Sequence, residues 1–235
     1  MNFSNAVDSP TPVAKPQGLI LPGVLLAGAL IFFGFPGLGG ERLDLWFQGL
    51  FWRNQQWVIA HDEPWAHALA YTGPKVILII VAVLLLIAAF VPQRFPAWLG
   101  RRRAVYLILC LGLVPAICSQ LRVVTHMSTP LDLKLFGGKF EHLLLFQAKP
   151  AGYPSNAFPA AHASGGFALL GLAWAWTNPR GRRLGWSLGL IAGTWMGGYQ
   201  IARGEHFLSH TLVTVLLAWL ITYLLALGIK PAHES

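Results

Sequence analysis

Residues 74–92, PKVILIIVAVLLLIAAFVP, carry one charged side chain near their start and apolar groups from there on. A helix rising about 1.5 Å per residue takes such a run across roughly 30 Å of hydrocarbon. It reads as a membrane span, and similar runs lie on both sides of it. Upstream, Gly18 to Leu38 is almost wholly apolar. It is longer than the core of a signal peptide and ends without a clear small-residue cleavage site, so it reads as a retained helix. Downstream come residues 104–121, His162 to Thr177, 184–202 and 206–228. The fold class expected is all-α: a polytopic membrane protein with six transmembrane helices in one domain, residues 18–228, between tails at 1–17 and 229–235.

Composition agrees. The chain is 55% hydrophobic and 11% charged, where an average soluble domain has about 25% charged residues. Its mean hydropathy is +0.55. These values exclude a soluble globule, a disordered tail and a nucleic-acid-binding arm, although the formal net charge is +8. Placement explains that charge. Arg94, Arg101, Arg102 and Arg103 crowd one short turn, and Arg180, Arg182 and Arg183 another. Positive charge marks cytoplasmic loops, so both turns and both termini are expected in the cytoplasm. The segment 41–72, the loop 122–161 and the link Arg203 to His210 then face the opposite side.

In 41–72, Leu43, Trp46, Phe47, Leu50 and Phe51 follow the spacing of one helical face, as in a segment lying in the membrane interface. The loop 122–161 is too long for a plain connection. Gly185, Gly189, Gly193 and Gly197 place a glycine every fourth residue, a face for close helix packing. Cys110 and Cys118 are separated by about 12 Å along a helix, too far for a disulfide, and read as packing residues.

The ends of the spans carry the chemistry. His162 opens one span, and His206 and His210 lie between two others, all at one membrane level. His206 and His210 are four apart, so on a helix their rings share a face, and one ring can fix the tautomer of the other. The same spacing suits a metal, with His162 as a third ligand. Against that, Arg122, Lys134, Lys139 and Arg203 share these loops, and positive charge attracts phosphate. Phe158-Pro159-Ala160-Ala161-His162-Ala163-Ser164-Gly165-Gly166 reads either as an anion cradle at a helix start or as small residues needed for packing. Asp132, Glu141 and Glu205 read as solvated loop charges.

Three motifs run in order: Arg122, then Thr129-Pro130 after six residues; Pro159-Ala160-Ala161-His162; and Tyr199-Gln200, then His206 and His210. In order and spacing the chain resembles the type 2 phosphatidic acid phosphatase superfamily, over roughly residues 104–228. The family pattern is Lys with Arg-Pro, then Pro-Ser-Gly-His, then Ser-Arg, His and Asp. Here Thr129 stands for the first Arg, Gln200 for the second and His210 for the Asp. Pro130-Leu131-Asp132-Leu133, Phe136-Gly137-Gly138, His162 to Leu169 and Arg203 to His210 are similar to a bacterial subgroup of that family.

The resemblance implies a metal-independent lipid-phosphate phosphatase or phosphotransferase with no cofactor, in a bacterial inner membrane with its site facing the periplasm. His206 would be the nucleophile, His210 its orienting partner and His162 the general acid. Arg122, Thr129, Gln200, Ala160 and Ala161 take the motif positions around the phosphate, with Arg203 and Lys134 as candidates to replace the missing cations. Candidate substrates are lipid A phosphates, undecaprenyl phosphates or diphosphates and glycerophospholipid phosphates. The partners expected are that substrate and membrane lipids, with no nucleic acid. The alternatives are a membrane metalloprotein using the three histidines, and a lipid-binding protein that has lost the chemistry.

Overall fold

A computed structural model describes residues 16–154 and 156–232. The expected tail 1–17 lies almost wholly outside the described residues, as does the end of the tail 229–235. The helices are α1 (Ile20–Gly34), α2 (Gly40–Gly49), α3 (Pro64–His67), α4 (Gly73–Phe90), α5 (Arg101–Thr125), α6 (Ala161–Phe167), α7 (Leu172–Ala175), α8 (Pro179–Ala202) and α9 (Leu208–Ile229). A π-helical turn, Ala68–Thr72, joins α3 to α4, and a 3₁₀ turn, Ala168–Gly171, joins α6 to α7. A small antiparallel hairpin pairs β1 (Trp52–Arg53) with β2 (Gln56–Trp57), putting Trp52 opposite Trp57.

Against the six expected spans, three helices among the described residues are long and apolar enough to cross a membrane: Pro64–Phe90, Arg101–Asp132 and Leu208–Ile229. α1 is apolar but shorter, at 15 residues. The fourth expected span is the broken run α6 to α7, packed against α5, α8 and α9. A helix surrounded by protein rather than lipid needs neither length nor apolar residues all round. α4, on the outside against α5, is apolar on all sides and largely exposed, as lipid contact requires.

Glycine sets how closely the centre packs. A Cβ on Gly166 would lie 2.5 Å from the backbone of Gly193, and one on Gly185 would lie 2.3 Å from that of Ala173. One on Gly193 would enter the Phe167 ring at 2.1 Å. The glycine face of α8 is thus the seat of α6 and α7. α8 starts at a cap in which Gly181 N–H donates to Asn178 Oδ1 at 2.6 Å, with Pro179 in the first turn.

The two arginine turns meet at one end of the bundle. Trp98 and Trp176 pack with centroids 4.9 Å apart, Arg103 lies over Trp176, and Arg103 Nε donates to the Pro231 carbonyl near the C-terminus. The motif segment after α5 is scaffold at the other end. Lys139 and Phe140 N–H both donate to the Asp132 carbonyl, and Gly138 lies so close that a Cβ would be 2.2 Å from Asp132. This tight turn docks Leu133 and Phe136 on Phe207, beside Trp52 and Trp57.

Gly185→Ala and Gly193→Ala are therefore expected to lower the thermal midpoint in detergent, at a cost of about 1–3 kcal/mol each. Gly112, with nothing within 4 Å of a Cβ, is the control, and Gly112→Ala should not lower the midpoint. Equal midpoints for all three variants would contradict the packing described.

Candidate functional site

His206 and His210 meet at the start of α9. The turn before them is set by Gly204, at φ +78°, and by Glu205 N–H donating to the Gln200 carbonyl at 2.9 Å. α9 begins only at Leu208, so the expectation that both histidines lie on one helix is corrected. The folded-back link still brings the two Nδ1 atoms to 3.4 Å. Both rings are buried, His206 at 5% and His210 at 1% exposure. Phe158 and Phe207 pack edge-on against His210, and the Ala157 carbonyl lies beside both imidazoles.

His162 is in the first turn of α6. Its ring stacks on Tyr71 at 4.0 Å and 10°, and Tyr71 stacks on His67 at 4.6 Å. His162 Nε2 lies 3.4 Å from the carbonyl of Ala70, within the π-helical turn. Such turns widen the helix and free carbonyls from the usual ladder.

Between α4, α5 and α6 lies a cavity of about 410 Å³. Its polar end is formed by Arg122, His162, Lys75, Ser119 and Tyr71, and its wall by Leu78, Ile79, Leu111 and Pro115. Arg122 Nε donates to the Asn156 carbonyl, which holds the guanidinium at the cavity edge. His206 does not line this cavity, but it lies within electrostatic range of both Arg122 and His162. Burial, and after it the Arg122 charge, push the His206 pKa down to about 3, against a smaller opposing effect of the Ala157 carbonyl. The ring is therefore neutral at physiological pH, with one nitrogen unprotonated.

The other expected phosphate contacts divide. Ala161 lines the cavity. Ala160 does not offer its N–H, which donates to Thr214 Oγ1 at 2.9 Å, so the expected cradle at the start of α6 is partly closed. Thr129 is committed to a cap, its N–H and hydroxyl both donating to Asp132 Oδ2 at 2.8 Å. Lys134 pairs with Glu141 at 2.6 Å and lines a different pocket, near Trp52 and Trp57. Gln200 is buried, and its Oε1 has no partner among the described residues. Arg203 is buried, donates to the Tyr199 hydroxyl at 2.8 Å and to His61, and lies 3.7 Å from Glu205. It remains within electrostatic range of His162.

Sequence reasoning missed Tyr71 and Lys75, which lie outside the motifs and meet Arg122 and His162 only through packing, and it gave Ser119, one turn before Arg122, no role. It also missed Asp44 and His142. α2 buries Gly40, Asp44 and Gln48 while Trp46 is 63% exposed. Its polar stripe faces the protein and its aromatic face turns outward, and the i, i+4 spacing of Asp44 and Gln48 was the available signal. For the metal alternative, no group of three His, Cys, Asp or Glu that could hold an ion together exists among the described residues.

The family model described as the PAP2 superfamily matches residues 103–233, more than half of the chain. The chain belongs to the PAP2 superfamily. No curated protein matches it. Among solved structures, the crystal structure of the first transmembrane PAP2-type phosphatidylglycerolphosphate phosphatase from Bacillus subtilis is similar. It has a TM-score of 0.57 and 15% identity, over 94% of this chain and 98% of that one. The PAP2 match starts within the first turn of α5, so α1 to α4, including Tyr71, Lys75 and Asp44, lie outside it.

In this PAP2 protein the neutral state of His206 can be read directly. With ¹⁵N-histidine labelling, the His206 ring should keep neutral-imidazole shifts from about pH 8 to about pH 5, where a free histidine titrates near 6.5. A cationic pattern developing near pH 6.5 would contradict the burial described.

Proposed function

We propose that this PAP2 protein is a phosphatase or phosphotransferase acting on a lipid phosphomonoester or diphosphate through a phosphohistidine at His206. The observation that carries the reading is a buried histidine pair within electrostatic range of Arg122 and His162, which border a cavity with cations at its polar end and an aliphatic wall. That wall, built from helices that cross the membrane, suits acyl or isoprenoid chains, and the polar end suits a phosphate. The activity named for the Bacillus subtilis structure is of the same class. Candidate substrates are phosphates of lipid A, undecaprenyl phosphates or diphosphates, and glycerophospholipid phosphates. In the proposed topology six segments cross a bacterial inner membrane, the arginine turns are cytoplasmic and the site faces the periplasm.

In the proposed reaction, His206 Nε2 attacks phosphorus while the bond from phosphorus to the leaving oxygen breaks. His162 gives that oxygen a proton. Water, or an acceptor lipid hydroxyl, then attacks the phosphohistidine, loses its proton to His162 and frees His206. Arg122 and Lys75 offset the charge on the equatorial oxygens. Arg203 takes the place of the motif arginine for which the chain has Gln200, acting from beside His162 while Tyr199, His61 and Glu205 hold it. No step calls for a metal.

The test is phosphate release in detergent from a panel of lipid phosphates with EDTA present. Wild type should be active, His206→Ala inactive, and His162→Ala slower by about 10²- to 10⁴-fold. Activity lost to EDTA and restored by a metal would overturn the scheme. Release equal in wild type and His206→Ala would do so as well, and no release from any lipid would favour the lipid-binding alternative.

A further inference from the structure

His206 and His210 face each other through their Nδ1 atoms at 3.4 Å, and one hydrogen is shared across that contact. Which ring owns it decides the chemistry. If His206 carries the proton on Nδ1, its Nε2 keeps a free lone pair and can attack. If His210 donates instead, the His206 proton sits on Nε2 and blocks it. Besides the Ala157 carbonyl, the far side of His210 bears on that choice, where Nε2 is buried and has no partner among the described residues. His210 lines a small cavity of about 10 Å³, the space of a single water, also lined by Asp44, His142 and Ser209. Asp44 comes from α2, is 5% exposed, and its Oδ1 accepts the Ser209 N–H at 2.9 Å.

We infer that Asp44 is the positioning carboxylate of this site, holding a proton on His210 Nε2 through one water and thereby fixing the His206 tautomer that leaves Nε2 free. The inference rests on the phosphohistidine reading. It explains how a PAP2 chain with His210 where the third motif has Asp still brings a carboxylate to bear on its nucleophile. The carboxylate is moved from the motif to α2, one imidazole further away. As the N–P bond forms, positive charge grows on the His206 ring. The hydrogen bonds from His206 Nδ1 to His210 Nδ1, and from His210 Nε2 through water to Asp44, place a negative group at the end of that chain. No net proton enters or leaves it.

The groups facing Asp44 are His210 and Ser209 from α9 and His142 from the loop, which is itself bonded to Glu41 at 3.3 Å. Burial holds the His142 pKa down despite Glu41. Burial raises Asp44 to about 7, against the opposing hydrogen bonds from Ser209. Its ionised share therefore grows as pH rises through neutrality, and the rate should rise with it.

Asp44→Asn separates this role from helix capping, because an amide oxygen can still accept the Ser209 N–H while the charge is gone. We expect kcat to fall by at least about tenfold with KM unchanged, and the rise of rate through neutral pH to disappear. In a His210→Ala background the same change should cost nothing further, since the relay is already cut. Asp44→Asn with wild-type kcat and pH profile, or full additivity with His210→Ala, would overturn the inference while leaving the phosphohistidine reading intact. An active His206→Ala would instead overturn that reading. A readout independent of turnover is the ¹⁵N spectrum of His210, which also decides if Asp44→Asn fails to fold. Wild type should carry the proton on Nε2, and a proton on Nδ1 would overturn the inference.

Discussion

Two imidazoles buried against each other at the mouth of an apolar bundle are the constraint around which this protein is arranged. An imidazole taken out of water must shed its charge or find a partner for it, and its nitrogens must be hydrogen-bonded. Burial and the nearby Arg122 discharge His206. Partners come from the opposite ring and the Ala157 carbonyl, and His210 lines a small chamber shared with Asp44. Supplying that chamber requires α2 to turn its polar stripe inward, the reverse of a helix on a soluble protein. Its aromatic residues are left on the outside, where lipid or the interface accepts them.

The cations are distributed by the same logic. Arg122 and Lys75 border the cavity, and Arg203 is held by Tyr199, His61 and Glu205 one layer further back. Arg103 and Arg182 lie over Trp176 and Trp174 at the opposite end of the bundle, where cation–π contact lets a guanidinium rest at an aromatic belt. Between the two ends, the glycine face of α8 lets the broken helix α6 to α7 approach closely enough to bring His162 into range of the pair. The Gly204 turn, against which Trp57 packs, completes the approach from the other side.

Much of this was legible in the sequence. Apolar runs announced a helical membrane bundle, and the glycine repeat announced a face for close helix packing, which α6 and α7 occupy. Helix count was less legible, because a helix enclosed by others loses the length and apolarity that identify a span. The motif companions misled for a related reason. Thr129 and Asp132 recur near the site, but they cap each other, and Phe136-Gly137-Gly138 is a tight turn beneath Phe207. Lys75, Tyr71 and Asp44 were hidden because they come from α2 to α4 and meet the motifs only through packing. No spacing within the motifs points to them.

The central claim is that His206 becomes phosphorylated. The most direct measurement is to quench the purified protein during turnover of a ³²P-labelled lipid phosphate and map the label by mass spectrometry. The account predicts an acid-labile, alkali-stable phosphoramidate on the peptide containing His206, absent in His206→Ala and accumulating when His162 is replaced by Gln under a leaving group that needs no proton. Label on another residue, or turnover with no covalent phosphate on the protein, would contradict it.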